Sequence, residues 1–192
     1  MRKGRVERKT AEVDILVELN VDGKGKANIE TGIKFLNHLL KTLAKHGLFD
    51  ITVKANGDLK HHISEDVALT LGEALQKAVA EKKGIKRFGS AYVPMDDSLA
   101  RAVIDLGGRA YSFLDLKLKQ TQIEDLKTED IEHFLESFAQ AFKSNLHLTI
   151  LYGSNDHHKT EAAVKALALA LRKAVAQEPR IKDQVPSAKG IL

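Results

Sequence analysis

Two copies of one short motif stand half a chain apart. His61-His62-Ile63-Ser64-Glu65 and His157-His158-Lys159-Thr160-Glu161 are offset by 96 residues (157 − 61 = 96), half of the 192-residue length. Upstream, Phe35-Leu36 and Phe134-Leu135 are offset by 99 (134 − 35), and His38 and His133 by 95 (133 − 38). A duplicated unit with small insertions and deletions accounts for all three. Such a chain folds as two similar halves.

The hydrophobic pattern gives those halves their elements. Residues 11–22 alternate apolar and polar side chains and meet Gly23-Lys24-Gly25, which predicts a strand and a turn. Residues 33–46 carry apolar side chains at helical spacing, with Gly47 as the C-cap. A strand over 48–55 ends at Asn56-Gly57, and a long amphipathic helix over 62–82 closes at Lys82-Lys83-Gly84. The second half repeats the order, with strands over 100–106 and 110–118, a helix over 130–144, a strand over 146–152 and a helix over 157–176. A polar tail with Pro186 follows. The pattern predicts an α+β fold, an internal duplication of a strand-helix-strand-helix half, in which two similar halves pack sheets and helices. The expected organisation is a single domain over 1–192, made of pseudo-repeats at about 1–92 and 93–192.

Composition removes several kinds of chemistry. The chain has no Cys, which excludes disulfides, thiolate metal sites and cysteine nucleophiles. It has no Trp and only 5% aromatic residues, which argues against a stacking platform for single-stranded nucleic acid. Thirty Lys and Arg against 26 Asp and Glu leave a formal charge of +4, suited to an anionic small substrate. No apolar segment follows the basic N-terminus, and no apolar run approaches the roughly 20 residues of a membrane helix. The expectation is a soluble, cytoplasmic protein with no membrane or nucleic-acid partner.

The eight His carry the chemistry. In His61-His62-x-x-Glu65 and its second copy, the first His and the Glu lie one helical turn apart on one face and can approach one metal ion. The neighbouring His is rotated by about 100°, away from that ion. An adjacent pair therefore suggests two ions, or one ion within the subunit and one shared with a neighbour. The two motifs offer four imidazoles and two carboxylates without sulfur, a set suited to Mn, Fe, Ni or Zn. His38 and His133 also occupy duplicated positions, whereas His46 and His147 do not. Among the cations, Arg87, Arg109 beside Gly107-Gly108, Lys165 one turn beyond Glu161, and Lys189 with Ser187 in the tail suit a phosphate group.

These blocks in this order resemble the imidazoleglycerol-phosphate dehydratase family of histidine biosynthesis. The resemblance covers nearly the whole chain. It runs through Phe35-Leu36-Asn37-His38, Lys45-His46-Gly47-Leu48-Phe49-Asp50, both His-His motifs, Arg87-Phe88-Gly89 and Pro94-Met95-Asp96-Asp97. It continues through Asp105-Leu106-Gly107-Gly108-Arg109, His133-Phe134-Leu135-Glu136-Ser137-Phe138 and Pro186-Ser187-Ala188-Lys189-Gly190.

The resemblance implies a hydro-lyase of the ribosomal protein S5 domain 2-like fold. Its reaction converts imidazole glycerol phosphate to imidazole acetol phosphate, with two Mn²⁺ per active site. It implies a homo-oligomeric 24-subunit particle with sites between subunits. By position, His38, His61, His62, Glu65, His133, His157, His158 and Glu161 become metal ligands. Arg87, Arg109, Lys165, Ser187 and Lys189 become the contacts to substrate phosphate. Glu12 and His46 line the pocket, and Glu161 or Glu12 moves the proton. The chain departs from the family before His61, where only Leu59-Lys60 follow Gly57-Asp58; members usually have a longer link with an Asp shortly before the His pair, a carboxylate that could orient the first-half His. Asn37 and Asp97 replace the more usual Asp and Glu. The length leaves no room for a fused phosphatase domain, so the dehydratase alone is expected. Two other readings are a dinuclear metal phosphoesterase and a nucleic-acid-binding module with structural metal.

Overall fold

The computed structural model describes residues 1–192. Its first half runs through β1 (Lys3–Lys9), β2 (Val13–Asn20), β3 (Ala27–Glu30), α1 (Lys34–Gly47), β4 (Asp50–Gly57) and α2 (Lys60–Val79). The second half runs through β5 (Phe88–Met95), β6 (Ser98–Asp105), β7 (Tyr111–Asp115), a hairpin of β8 (Gln122–Ile123) and β9 (Leu126–Lys127), α3 (Thr128–Phe142), β10 (Asn145–Tyr152) and α4 (Asp156–Val175). The halves build sheets of matching order, β1-β2-β4-β3 and β5-β6-β10-β7. Each contains two antiparallel pairings and one parallel pairing, β3 with β4 or β7 with β10. The expected α+β duplication is present. Each half carries three strands of its four-stranded sheet before its first helix, and the second adds the β8–β9 hairpin, more than strand-helix-strand-helix.

The extra strands are those with the weakest hydrophobic alternation. In β1, Gly4 and Val6 are the buried positions of an otherwise charged edge strand. Ile29 is the one buried residue of the short β3. In β5 the usual pattern is inverted, because small Gly89 and Ala91 face inward while Phe88 and Tyr92 face outward. Small inward residues are required where an edge strand lies against a helix backbone. An added Cβ at Gly4 would stand 1.9 Å from the Ala74 carbonyl oxygen of α2, and one at Gly89 would stand 1.9 Å from that of Ala170 in α4. Ala74 and Ala170 are themselves 96 residues apart (170 − 74), so the close approach is duplicated too. Gly89→Ala is expected to destabilise the fold by about 1–3 kcal/mol through overpacking, read as a lower midpoint in denaturant. An unchanged midpoint would show that β5 can move off α4.

Helices α1 and α2 pack on the first sheet, and α3 and α4 on the second. The two helix layers then meet, α1 on α4 and α2 on α3, and one core runs through both halves from Val17 and Val53 to Ile104 and Leu148. Helix boundaries set the register of the repeat. From α2 to α4 both ends are offset by 96 (156 − 60 and 175 − 79). From α1 to α3 the offsets are 94 and 95 (128 − 34 and 142 − 47). His38 and His133, offset by 95, are thus true equivalents. Phe35 and Phe134 are one turn out of register, and the counterpart of Phe35 is Asp130 (130 − 35 = 95).

Candidate active site

The meeting of the helix layers gathers the His and Glu residues into two groups, each spanning both halves. His38 of α1 joins His157 and Glu161 of α4, and His133 of α3 joins His61 and Glu65 of α2. In each group the ligand atoms lie within 4.8 Å of one another. The Nε2 atoms of His38 and His157 stand 3.5 and 3.6 Å from Glu161 Oε2. Those of His133 and His61 stand 3.3 and 3.8 Å from the Glu65 carboxylate. Two imidazoles and one carboxylate converging in this way fit a divalent transition-metal ion with coordination positions to spare.

The second His of each pair points elsewhere, as its rotation on the helix requires. His62 Nδ1 lies 2.8 Å from Asp58 Oδ1 and 3.9 Å from Glu12 Oε2. The Asp58 hydrogen bond raises the His62 pKa above its ordinary value. His158 Nδ1 lies 2.7 Å from Asp97 Oδ1, and its Nε2 lies 3.5 Å from Asp96. Asp97 also accepts from the Ser154 hydroxyl, and from the Ser154 and Asn155 amides, and its carboxyl is held far below the usual range. Asn155 in turn caps α4, its side chain accepting from the amides of His157 and His158.

The Nδ1 atoms of the converging histidines also have carboxylate partners. His61 Nδ1 is 2.7 Å from Asp130 Oδ1 of α3, and His157 Nδ1 is 3.2 Å from Glu124 Oε1 of the β8–β9 hairpin. Sequence reasoning missed both. Asp130 had left a signal, an acid among the buried positions of an amphipathic helix. Asp156 does not serve a histidine. It is buried and takes the amides of Lys119 and Gln120 and the Lys159 ammonium. Hairpin residue Asp125 reaches into the first half and accepts from the amides of Lys34 and Phe35, capping α1.

Beside the group on α4 stand Lys165 and His46. Lys165 Nζ donates to Glu161 Oε1 at 2.8 Å, leaving Oε2 facing His38 and His157. Burial pushes the Glu161 carboxyl up, but the Lys165 hydrogen bond and charge, with His38, outweigh it and hold the group below its ordinary value. Burial, helped by the Lys165 charge, lowers the His46 pKa.

The other cations lie elsewhere. The Arg87 amide donates to Ala174 near the end of α4, 13 residues beyond Glu161 (174 − 161), or about 20 Å along the helix. There Arg87 pairs with Asp105 through two hydrogen bonds of 2.6 and 3.0 Å and donates to the Pro186 carbonyl at 3.0 Å. The turn carrying Arg109 meets the tail, since a Cβ at Gly108 would stand 2.7 Å from the Leu192 carbonyl carbon. Arg87 and the turn before Arg109 thus both meet the tail that carries Ser187 and Lys189, away from the imidazole group on α4. Glu12 stands by His62, not by Glu161. His147 lies on the outer face of the second sheet, stacked on Phe113.

A family model described as imidazoleglycerol-phosphate dehydratase matches residues 31–171, which include both imidazole groups. The chain belongs to the imidazoleglycerol-phosphate dehydratase family. An imidazoleglycerol-phosphate dehydratase of Dehalococcoides mccartyi is 52% identical over 191 residues, covering 100% of this chain and 97% of that protein. One of Methanothermobacter thermautotrophicus is 48% identical over 195 residues, covering 100% and 98%. The crystal structure of the dehydratase from Staphylococcus aureus superposes with a TM-score of 0.84 at 30% identity, covering 92% of this chain and 99% of that one. That from Pyrococcus furiosus superposes with a TM-score of 0.85 at 35% identity, covering 97% and 100%. As in any member of the dehydratase family, the function of this chain rests on its site. A water-sized apolar cavity of about 30 Å³ between the helices, lined by Leu36, Leu40 and Phe134 among others, is too small to hold a sugar phosphate.

Proposed function

We propose that this chain is a hydro-lyase that dehydrates imidazole glycerol phosphate to imidazole acetol phosphate in histidine biosynthesis. The observation that carries the reading is the pair of two-His, one-Glu groups, each assembled across the halves, in a chain of this family. The proposed metal ligands are His38, His61, His62, Glu65, His133, His157, His158 and Glu161. Mn²⁺, two ions per site, suits these nitrogen and oxygen donors. Bound there, the ions supply Lewis acidity toward the ring nitrogens of the substrate.

The protein residues do the rest. The proton lost sits on a carbon with no carbonyl beside it, so a base must be held close to it. Glu161 is ionised and faces the imidazoles, and we assign it that proton, with Glu12 as the other carboxylate in reach of a shared site. The leaving hydroxyl departs as water, and the resulting enol tautomerises to the ketone. Lys165, the fifth of the proposed phosphate contacts, pairs with Glu161 within the subunit and, with His46, lines that side. Arg87, Arg109, Ser187 and Lys189 clamp the phosphate and aim the chain at the base.

Within one subunit that clamp and Glu161 are about 20 Å apart along α4, which supports active sites shared between subunits of a homo-oligomer. The outer face of the second sheet offers contact area, with Phe88, Tyr92, Tyr111, Phe113 and Tyr152 exposed together. A 24-subunit particle and a cytoplasmic location complete the reading. No helix is long and apolar enough to cross a membrane. The whole chain, 1–192, is taken as one domain of pseudo-repeats about 1–92 and 93–192.

The test is a direct assay. Purified protein with Mn²⁺ is incubated with imidazole glycerol phosphate, and both ketone formation and inorganic phosphate release are followed. Ketone without phosphate release is expected. Phosphate release without ketone would establish the phosphoesterase reading instead.

A further inference from the structure

We infer that Asp130 is a positioning residue that locks His61 for metal ligation and makes the two imidazole groups unequal. The inference rests on the metal-dependent reading above. It starts from the register of the repeat. Asp130 and Phe35 are equivalent positions on α3 and α1, and His61 and His157 are equivalent positions on α2 and α4. Each member of the first pair touches its member of the second. The Phe35 ring packs on the His157 ring with centroids 5.0 Å apart. The Asp130 carboxylate instead takes His61 Nδ1 at 2.7 Å. One place in the fold holds an apolar ring in one half and a charge in the other.

Asp130 is only 3% exposed, and His61 is its one hydrogen-bond partner. Burying a carboxylate costs free energy that an apolar side chain at the same position avoids. An acid in the first turn of a helix also suits the helix dipole, but exposed Glu129 already supplies that charge, and the dipole requires neither burial nor aim at a ring. The geometry does have a consequence for His61. With Nδ1–H donated to Asp130, the lone pair is on Nε2, the atom facing Glu65 and His133. His157 receives less help, because Glu124 is 61% exposed and stands farther away, at 3.2 Å. The group of His61, Glu65 and His133 therefore holds its ion more tightly than the group of His38, His157 and Glu161.

Metal-stripped full-length protein is titrated with Mn²⁺ alone, and free ion is read from its electron paramagnetic resonance signal. Asp130→Leu is expected to weaken one half of the bound Mn²⁺ by about 10- to 100-fold and leave the other half unchanged. Asp130→Asn, isosteric and safe for folding, is expected to shift the same half in the same direction. Glu124→Gln is expected to change neither half by more than about threefold, since its carboxylate is solvated. Equal weakening of both halves, together with a lower melting temperature of the metal-free form, would make Asp130 a packing residue and overturn the inference. Wild-type binding in both Asp130 variants would overturn it as well, with the metal-dependent reading intact. Failure of the wild-type protein to bind Mn²⁺ would overturn both.

Discussion

Glu161→Gln is expected to retain Mn²⁺ and to lose turnover by about 10²- to 10⁴-fold, the range for removing a general base. The amide keeps an oxygen for the ion and the shape of the side chain, but it cannot accept a proton. The loss should fall on kcat rather than KM, because the proposed phosphate clamp lies elsewhere. Turnover near wild type would shift the role of base to Glu12. The same substitution also tests the shared site. Co-expression of Glu161→Gln with the clamp variant Arg109→Ala, each nearly inactive alone, should recover about one quarter of wild-type activity, since random mixing leaves that share of sites with both groups intact. Arg109 suits this test because Arg87 is tied to Asp105 and Pro186, so that its loss would also disturb the fold. No recovery would place Glu161 and Arg109 in a site of one subunit.

Dialysis against a chelator should abolish the dehydratase activity and dissociate the proposed 24-subunit assembly, and added Mn²⁺ should restore both. The reason lies in the divergence of each His-His pair. His61 and His157 turn into groups within the subunit, while His62 and His158 turn away from those groups, beside Asp58 and Asp97. An ion bound by both sets joins one subunit to another, so its removal costs contacts as well as chemistry. A sizing column reads the assembly and the ketone assay reads the activity. Full activity in metal-free protein would falsify the proposed mechanism. Dissociation below the particle size is measured against the 21.2 kDa of one chain.

Much of the site was legible along the chain because its donors obey local geometry. Residues four apart on a helix share a face whatever the rest of the fold does, so His61 with Glu65, and His157 with Glu161, could be paired from spacing alone. The recurrence of the motif after 96 residues, the absence of Cys and the long helices were equally plain. The edge strands were not. Gly4 and Gly89 face inward where helix backbones leave no room for a side chain, and that constraint comes from a partner distant in sequence.

What only the tertiary structure decided is which distant residues meet. His38 joins His157 across 119 positions (157 − 38), and Asp130 meets His61 across 69, through packing of α1 on α4 and of α2 on α3. It also set Arg87 and the tail at the far end of α4 from Glu161. Spacing is read through the helical repeat, which backbone hydrogen bonds impose on every segment alike. Juxtaposition depends on how two apolar helix layers bury each other, a property of the whole core that no local window contains.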